Sequence, residues 1–182
     1  MPCLLENQYN ALYSSLIMIF KYLIKRLYIF FFVIIFTFSL DRISKQYVIY
    51  LNNNNLNGEL FSSSYLNISL VWNEGIAFGL LAFEESKIYN FLSVFIALIV
   101  IIIFYMALNS NGIKKYALLM IIGGALGNLY DRLFFSAVPD FIDFHIGNFH
   151  WFIFNVADIF ISVGILIMIL IEFIDNKKNK MN

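Results

Sequence analysis

Long apolar runs broken by short polar joints set the pattern of this chain, and four runs approach the 20 or so residues that a membrane helix needs. The plainest is residues 88–108, twenty-one positions without a charge. The first run, 22–40, carries Lys25 and Arg26 near its start, where long stems reach the headgroups, and ends at Asp41. The third, 116–133, is apolar except for Asn128, Asp131 and Arg132 at its far end. The fourth, 152–171, contains one charge, Asp158. Between the first two runs the period changes: Leu66, Ile68, Leu70 and Trp72 alternate with other residues, as in a strand lying on the membrane. Trp72, Phe78, Phe83 and Tyr89 suit the interfacial belt.

Composition agrees with lipid as the solvent. Of 182 residues, 61% are hydrophobic and 13% charged, too apolar for a water-soluble domain of this size. The fold class expected is an all-α membrane protein with a small extracytoplasmic β element. Twelve basic and twelve acidic residues cancel, so nothing points to nucleic acid. Position matters more than balance. Lys21, Lys25, Arg26, Lys114, Lys115, Lys177, Lys178 and Lys180 all fall on one side of the four spans, which marks that side as cytoplasmic and puts both termini there. The organisation expected is a cytoplasmic extension over 1–21, a four-helix domain over 22–172 with an outer insertion at 49–87, and a basic tail over 173–182. The first twenty residues, with no basic lead before Leu16–Phe20 and no small-residue pattern after it, are not expected to be a secretory leader. Met18 is an alternative start, which the intact mass of the native protein would decide. With one cysteine and two histidines, no metal or cofactor is expected.

Ionisable groups at membrane depth are unfavourable by about 2.5–3.5 kcal/mol each on insertion scales, so each asks for a reason. In the run 123–132, Asn128, Asp131 and Arg132 share a helix face. Gly123 and Gly127 form a small-xxx-small surface for a neighbouring helix. Packing plus an Asp131–Arg132 charge group would explain these residues equally well. Asp140 sits among apolar neighbours, where a carboxyl tends to keep its proton. Asn155 and Asp158 lie three apart, and the partner of Asp158 must come from another segment. If the outer loop 134–150 folds back, Asp140 and Asp158 meet, and two close carboxyls in a low-dielectric place hold one proton between them. Such a pair can activate water on a peptide carbonyl; each Asp making its own structural hydrogen bonds is the alternative. Asp41 and Lys45 are spaced to pair or to form a charged helix end. The segment 73–79 reads as a turn. His145 and His150 read as loop residues near the interface.

Five segments together resemble the lipoprotein signal peptidase family, the bacterial signal peptidases of type II: Asp41-Arg-Ile-Ser-Lys45, Asn73-Glu-Gly-Ile-Ala-Phe78, the run 123–132, Asp140-Phe-Ile-Asp-Phe144 and Phe154-Asn-Val-Ala-Asp158. They cover about residues 22–172. The resemblance implies four membrane helices, an outer β cradle and a mobile outer interfacial helix covering the site. It implies an aspartic endopeptidase of the bacterial inner membrane, acting at the outer face. Its substrate would be a prolipoprotein whose cysteine is diacylglyceryl-modified, cut before that cysteine, with membrane lipid as surroundings and the enzyme working as a monomer. The catalytic pair falls on Asp140 and Asp158, and supporting residues on Asp41, Lys45, Asn73, Gly124, Asn128, Arg132 and Asn155, with Asp131 beside Arg132. Pro139 stands where the family has an aliphatic residue, and a local adjustment is expected there. Two other classes compete: an ion carrier relaying protons through Asp131, Asp140 and Asp158, and an assembly protein held by the glycine face. A carrier usually shows repeats and broken helices, which this chain lacks.

Overall fold

The computed structural model describes residues 2–54, 59–75 and 86–179. The elements are α1 (Pro2–Asn54), β1 (Glu59–Ser62), β2 (Leu66–Asn73), α2 (Ser86–Leu108), α3 (Gly112–Phe135), β3 (Val138–Ile146), β4 (Phe149–Phe154) and α4 (Val156–Asn179). Among the described residues, four helical stretches are long and apolar enough to cross a membrane: Leu27–Asn54, Phe91–Leu108, Gly112–Phe135 and Val156–Lys178. Their outer faces carry exposed side chains such as Phe91, Ile101, Val163 and Phe173, which only lipid can cover at low cost.

Two boundaries differ from those expected. The first helix does not stop at Asp41 but continues to Asn54. Asp41 and Lys45 are fully buried and charge-paired, so charge there joins the helix to its neighbours and does not end it. The fourth span starts at Val156, because 149–154 pair as a strand and Asn155 caps the helix. The segment read as a loop, 134–150, is mostly strand: the sheet is antiparallel in the order β1-β2-β3-β4. Pro139 hid this, since proline removes a ladder donor. Trp72 is its partner on β2, while β4 joins β3 only from Ile142 onward, so at Pro139 the strand has one open side. The covering helix implied by the resemblance, and Phe78 and Phe83, fall outside the described residues, as does the Tyr89 side chain.

Helix α3 is the hub, packed against α1, α2 and α4. One half of the bundle closes on an apolar core of Phe30, Ile34, Val100, Ala107, Leu118, Leu119 and Ile122. Further along α3, glycines bring the helices close enough for polar side chains to meet. A Cβ on Gly123 would overlap Thr37 Oγ1 and stand 2.9 Å from the Ile34 carbonyl oxygen; one on Gly127 would overlap the Asp41 carboxylate. Both glycines therefore face α1, while Gly124 faces α4, where a Cβ would lie 2.6 Å from the Ala157 carbonyl oxygen. Gly123→Ala gains up to about 1 kcal/mol of helix propensity. It pays for that with overpacking of about 1–3 kcal/mol against backbone that cannot yield. The expected net result is a lower unfolding temperature in detergent; an unchanged or higher one would show the α1–α3 approach to be looser than described.

Candidate active site

The start of α4 organises the polar centre. Asn155 is its N-cap: its Oδ1 accepts the Asp158 N–H at 3.1 Å, and Asp158 Oδ2 accepts the Asn155 N–H at 3.1 Å. This reciprocal box satisfies orphan donors at the helix end and fixes the Asp158 carboxyl at the same time. Asp41 reaches over from α1 and accepts the Ala157 N–H at 3.0 Å, satisfying another.

Asp140 is delivered by β3 at the place where β2 and β3 change register, Val71 standing opposite Asp140. Such irregularities re-aim side chains. Asn73, the last residue of β2, donates from Nδ2 to Asp140 Oδ2 at 2.9 Å. Its own Oδ1 accepts the Gly75 N–H at 2.9 Å, which orients the amide. Asn155 Nδ2 donates to Asp140 Oδ1 at 2.6 Å. Asn128, one helix over, donates from Nδ2 to Asp158 Oδ1 at 2.8 Å. Each of the four carboxyl oxygens thus accepts one hydrogen bond from a neutral amide. One residue, Asn155, holds both acids.

The charges stand one layer back. Lys45 Nζ donates to Asn128 Oδ1 at 2.8 Å and pairs with Asp131 Oδ2 at 2.8 Å and Asp41 Oδ2 at 2.9 Å, using all three protons. Asn128 Oδ1 also accepts from Asn155 Nδ2 at 3.1 Å, so the ammonium is connected to both acids through amides alone. Arg42 forks onto Asp131 at 2.5 and 2.6 Å and touches Asp41 at 3.0 Å. Its guanidinium also lies 5.0 Å over the Tyr130 ring. Asp131, adjacent in sequence to Arg132, is held by Arg42 and Lys45 from α1. The sequence carries a signal for it, since Arg42 lies in the same short segment as Asp41 and Lys45. Arg132 donates to the Asn128 carbonyl at 3.2 Å and the Gly75 carbonyl at 3.3 Å, tying α3 to the turn after β2. Gly124 touches neither acid. Its part is to let α3 approach α4 so that Asn128 reaches Asp158.

Both Asp140 and Asp158 line one cavity of about 760 Å³ between the β3–β4 hairpin and α4, whose walls include Phe144, Phe152, Phe154 and Ile161. Apolar walls leave the acids poorly solvated. Burial raises the Asp140 pKa from its usual 3.8 to about 6, the Asp158 charge adding to the rise and the Asn73 and Asn155 hydrogen bonds and Lys45 opposing it. The folded state therefore binds this proton more tightly than the unfolded chain. Its contribution to stability is complete below 3.8 and is lost as pH rises through about 6. The shift corresponds to at most about 3 kcal/mol. Thermal unfolding of the native protein should thus lose ground to Asp140→Asn, which cannot titrate, as pH rises through this window. A pH-independent difference between the two would refute the shift.

The structure brings Asp41, Lys45, Asn73, Asn128, Arg132, Asp140, Asn155 and Asp158 into one connected centre. This assembly can be set beside known proteins. The family model described as signal peptidase (SPase) II matches residues 33–174. The lipoprotein signal peptidase of Pelagibacter ubique is 45% identical over 156 residues, covering 85% of this chain and 94% of that protein. That of Anaplasma phagocytophilum is 39% identical over 145 residues, covering 79% and 90%. A solved bacterial membrane enzyme superposes with a TM-score of 0.69 at 26% identity, covering 82% of this chain and 90% of its own. On the spans, the shared architecture and the extent of these matches, the chain belongs to the signal peptidase II family of membrane peptidases.

Proposed function

We propose that this protein is an aspartic endopeptidase that removes the signal peptide of a diacylglyceryl-modified prolipoprotein, cutting before the lipidated cysteine with Asp140 and Asp158 as the catalytic pair. The observation that carries this reading is Asn155, whose amide and capping geometry hold two carboxyls toward one apolar cavity. Charge supports it. Four carboxyls, Asp41, Asp131, Asp140 and Asp158, are joined through direct ion pairs and shared amides to three cations, Arg42, Lys45 and Arg132, in this centre. One shared proton on the Asp140–Asp158 pair makes the whole neutral, the state that a low-dielectric surrounding favours.

With that proton in place, the ionised acid removes a proton from water as the water attacks the scissile carbonyl. The protonated acid donates to the carbonyl oxygen as it gains charge, and the proton is returned to the departing amine. Amides rather than cations hold the pair, so neither acid is locked in its ionised form and the roles can exchange. The apolar cavity walls suit a substrate that carries acyl chains.

Orientation follows from charge position. Lys114 and Lys115 open α3 and Lys177 and Lys178 close α4, whereas Asp158 lies in the first turn of α4 and Asp140 on β3, just past the far end of α3. We place the former ends in the cytoplasm and the acids at the outer face. The test is a single-turnover reaction of purified protein with a lipid-modified prolipoprotein in isotope-labelled water, without ATP. Two fragments are expected, with label in the new carboxylate of the signal peptide. An acyl-enzyme in that turnover, or no cleavage at all, would count against direct attack by water.

A further inference from the structure

A second cluster lies on the β3–β4 hairpin, and one of its members, His145, also lines the cavity shared by Asp140 and Asp158. Asp143 is 6% exposed. Its Oδ2 lies 2.8 Å from His150 Nδ1. His145 stands opposite His150 across the hairpin, the two rings stacked with centroids 5.0 Å apart. The register shifts between Asp143 and His145, and the three residues each bring one nitrogen or oxygen within 4.8 Å of the others. Two of the buried polar atoms here, Asp143 Oδ1 and His145 Nδ1, have no hydrogen-bond partner.

We propose that Asp143, His145 and His150 bind a zinc-class divalent transition-metal ion that clips β3 to β4. An Asp143–His150 pair explains Oδ2 and one ring nitrogen. It leaves two walled-off polar atoms unsatisfied, and each costs about 1–3 kcal/mol unless something meets it. A cation at this point answers for the carboxylate and both rings together. Two imidazoles and one carboxylate suit zinc and its neighbours, and the all-oxygen shells of magnesium and calcium do not match. Ligand atoms around tetrahedral zinc stand about 3.3 Å apart, given metal–ligand distances of about 2.0–2.2 Å. The adjustment falls to His150, whose side chain is 52% exposed: its Nδ1 draws back from Asp143 Oδ2, now at 2.8 Å, while the wider gaps, all within 4.8 Å, close. That exposed ring also provides the way in, and water completes the fourth position. Two histidines are too few by themselves, and Asp143 supplies the third ligand. This site does not depend on the reading of the acid pair.

Calorimetric titration of zinc ions into the tag-free full chain in detergent should give one site per chain. His150→Gln and His145→Gln should each weaken it at least about 100-fold, beyond the roughly 10–100-fold loss seen when only an outer-shell partner is removed. Cobalt ions should give visible absorption that both variants abolish, and magnesium ions should not compete. No zinc binding by the native chain, or an affinity unchanged in either variant, overturns the proposal. His150→Gln alters an exposed ring, so unchanged affinity there is decisive even if His145→Gln does not fold. Prolipoprotein cleavage measured with a chelator present reports on the acid pair separately.

Discussion

Asp140→Asn and Asp158→Asn are each expected to reduce prolipoprotein cleavage by at least about 10³-fold while the protein stays folded and inserted. The exchange keeps shape and removes the ability to trade a proton. At Asp158 the capping oxygen can be kept, so the Asn155 N–H stays satisfied, and the bond accepted from Asn128 is lost. One such bond is worth about 1 kcal/mol, too little to unfold the bundle. At Asp140 both Asn73 and Asn155 donate, so the new amide must turn an N–H toward one of them. The cost is again local. Cleavage near the native rate by either folded variant would remove the proposed chemistry, and a variant that fails to insert would show up in its unfolding profile.

The second large effect belongs to Lys45, which touches neither acid of the pair. Lys45→Met leaves the fully buried Asp41 and Asp131 with Arg42 alone, and breaking a buried ion pair from one side costs about 3–5 kcal/mol. Two further contacts fail with it. Asn128 loses the donor that sets its amide, and Asp41, which holds the Ala157 N–H, loses a cation. Lys45→Arg is not expected to rescue, since a planar fork cannot direct three bonds to the same acceptors. The charge argument has its own test. Combining Lys45→Met with Asp131→Asn restores balance, so the double variant should lose clearly less stability than the two single losses together. Strict additivity in thermal unfolding would show that the cluster does not act as one unit.

How far the residues alone foretold this centre depended on how local each signal was. The four spans follow from run length and the absence of charge, which are properties of contiguous sequence. Asn155 and Asp158 were paired correctly by spacing, yet their roles as cap and capped depended on where the helix began, and β4 moved that start to Val156. Strand β3 was not legible because Pro139 argues against a strand, and only a partner on one side makes it acceptable. Arg42 was overlooked for a related reason: its partner Asp131 is 89 positions away, and an adjacent Arg132 offered a simpler match. Long-range pairs that a hub helix creates leave no periodic trace. The glycines were the best guide, since Gly123 and Gly127 announced a close helix contact, although which helix used each one required the structure.

The most direct measurement is infrared spectroscopy of the carboxyl carbonyl band in reconstituted membranes at about pH 5, roughly one unit below the Asp140 pKa of about 6, where its proton is largely held. One protonated buried carboxyl is expected in the native protein, with its band lost or displaced in Asp140→Asn and in Asp158→Asn alike, because both share the same proton. A native protein with no such band, or a band that ignores one of the two substitutions, would contradict a shared proton between Asp140 and Asp158.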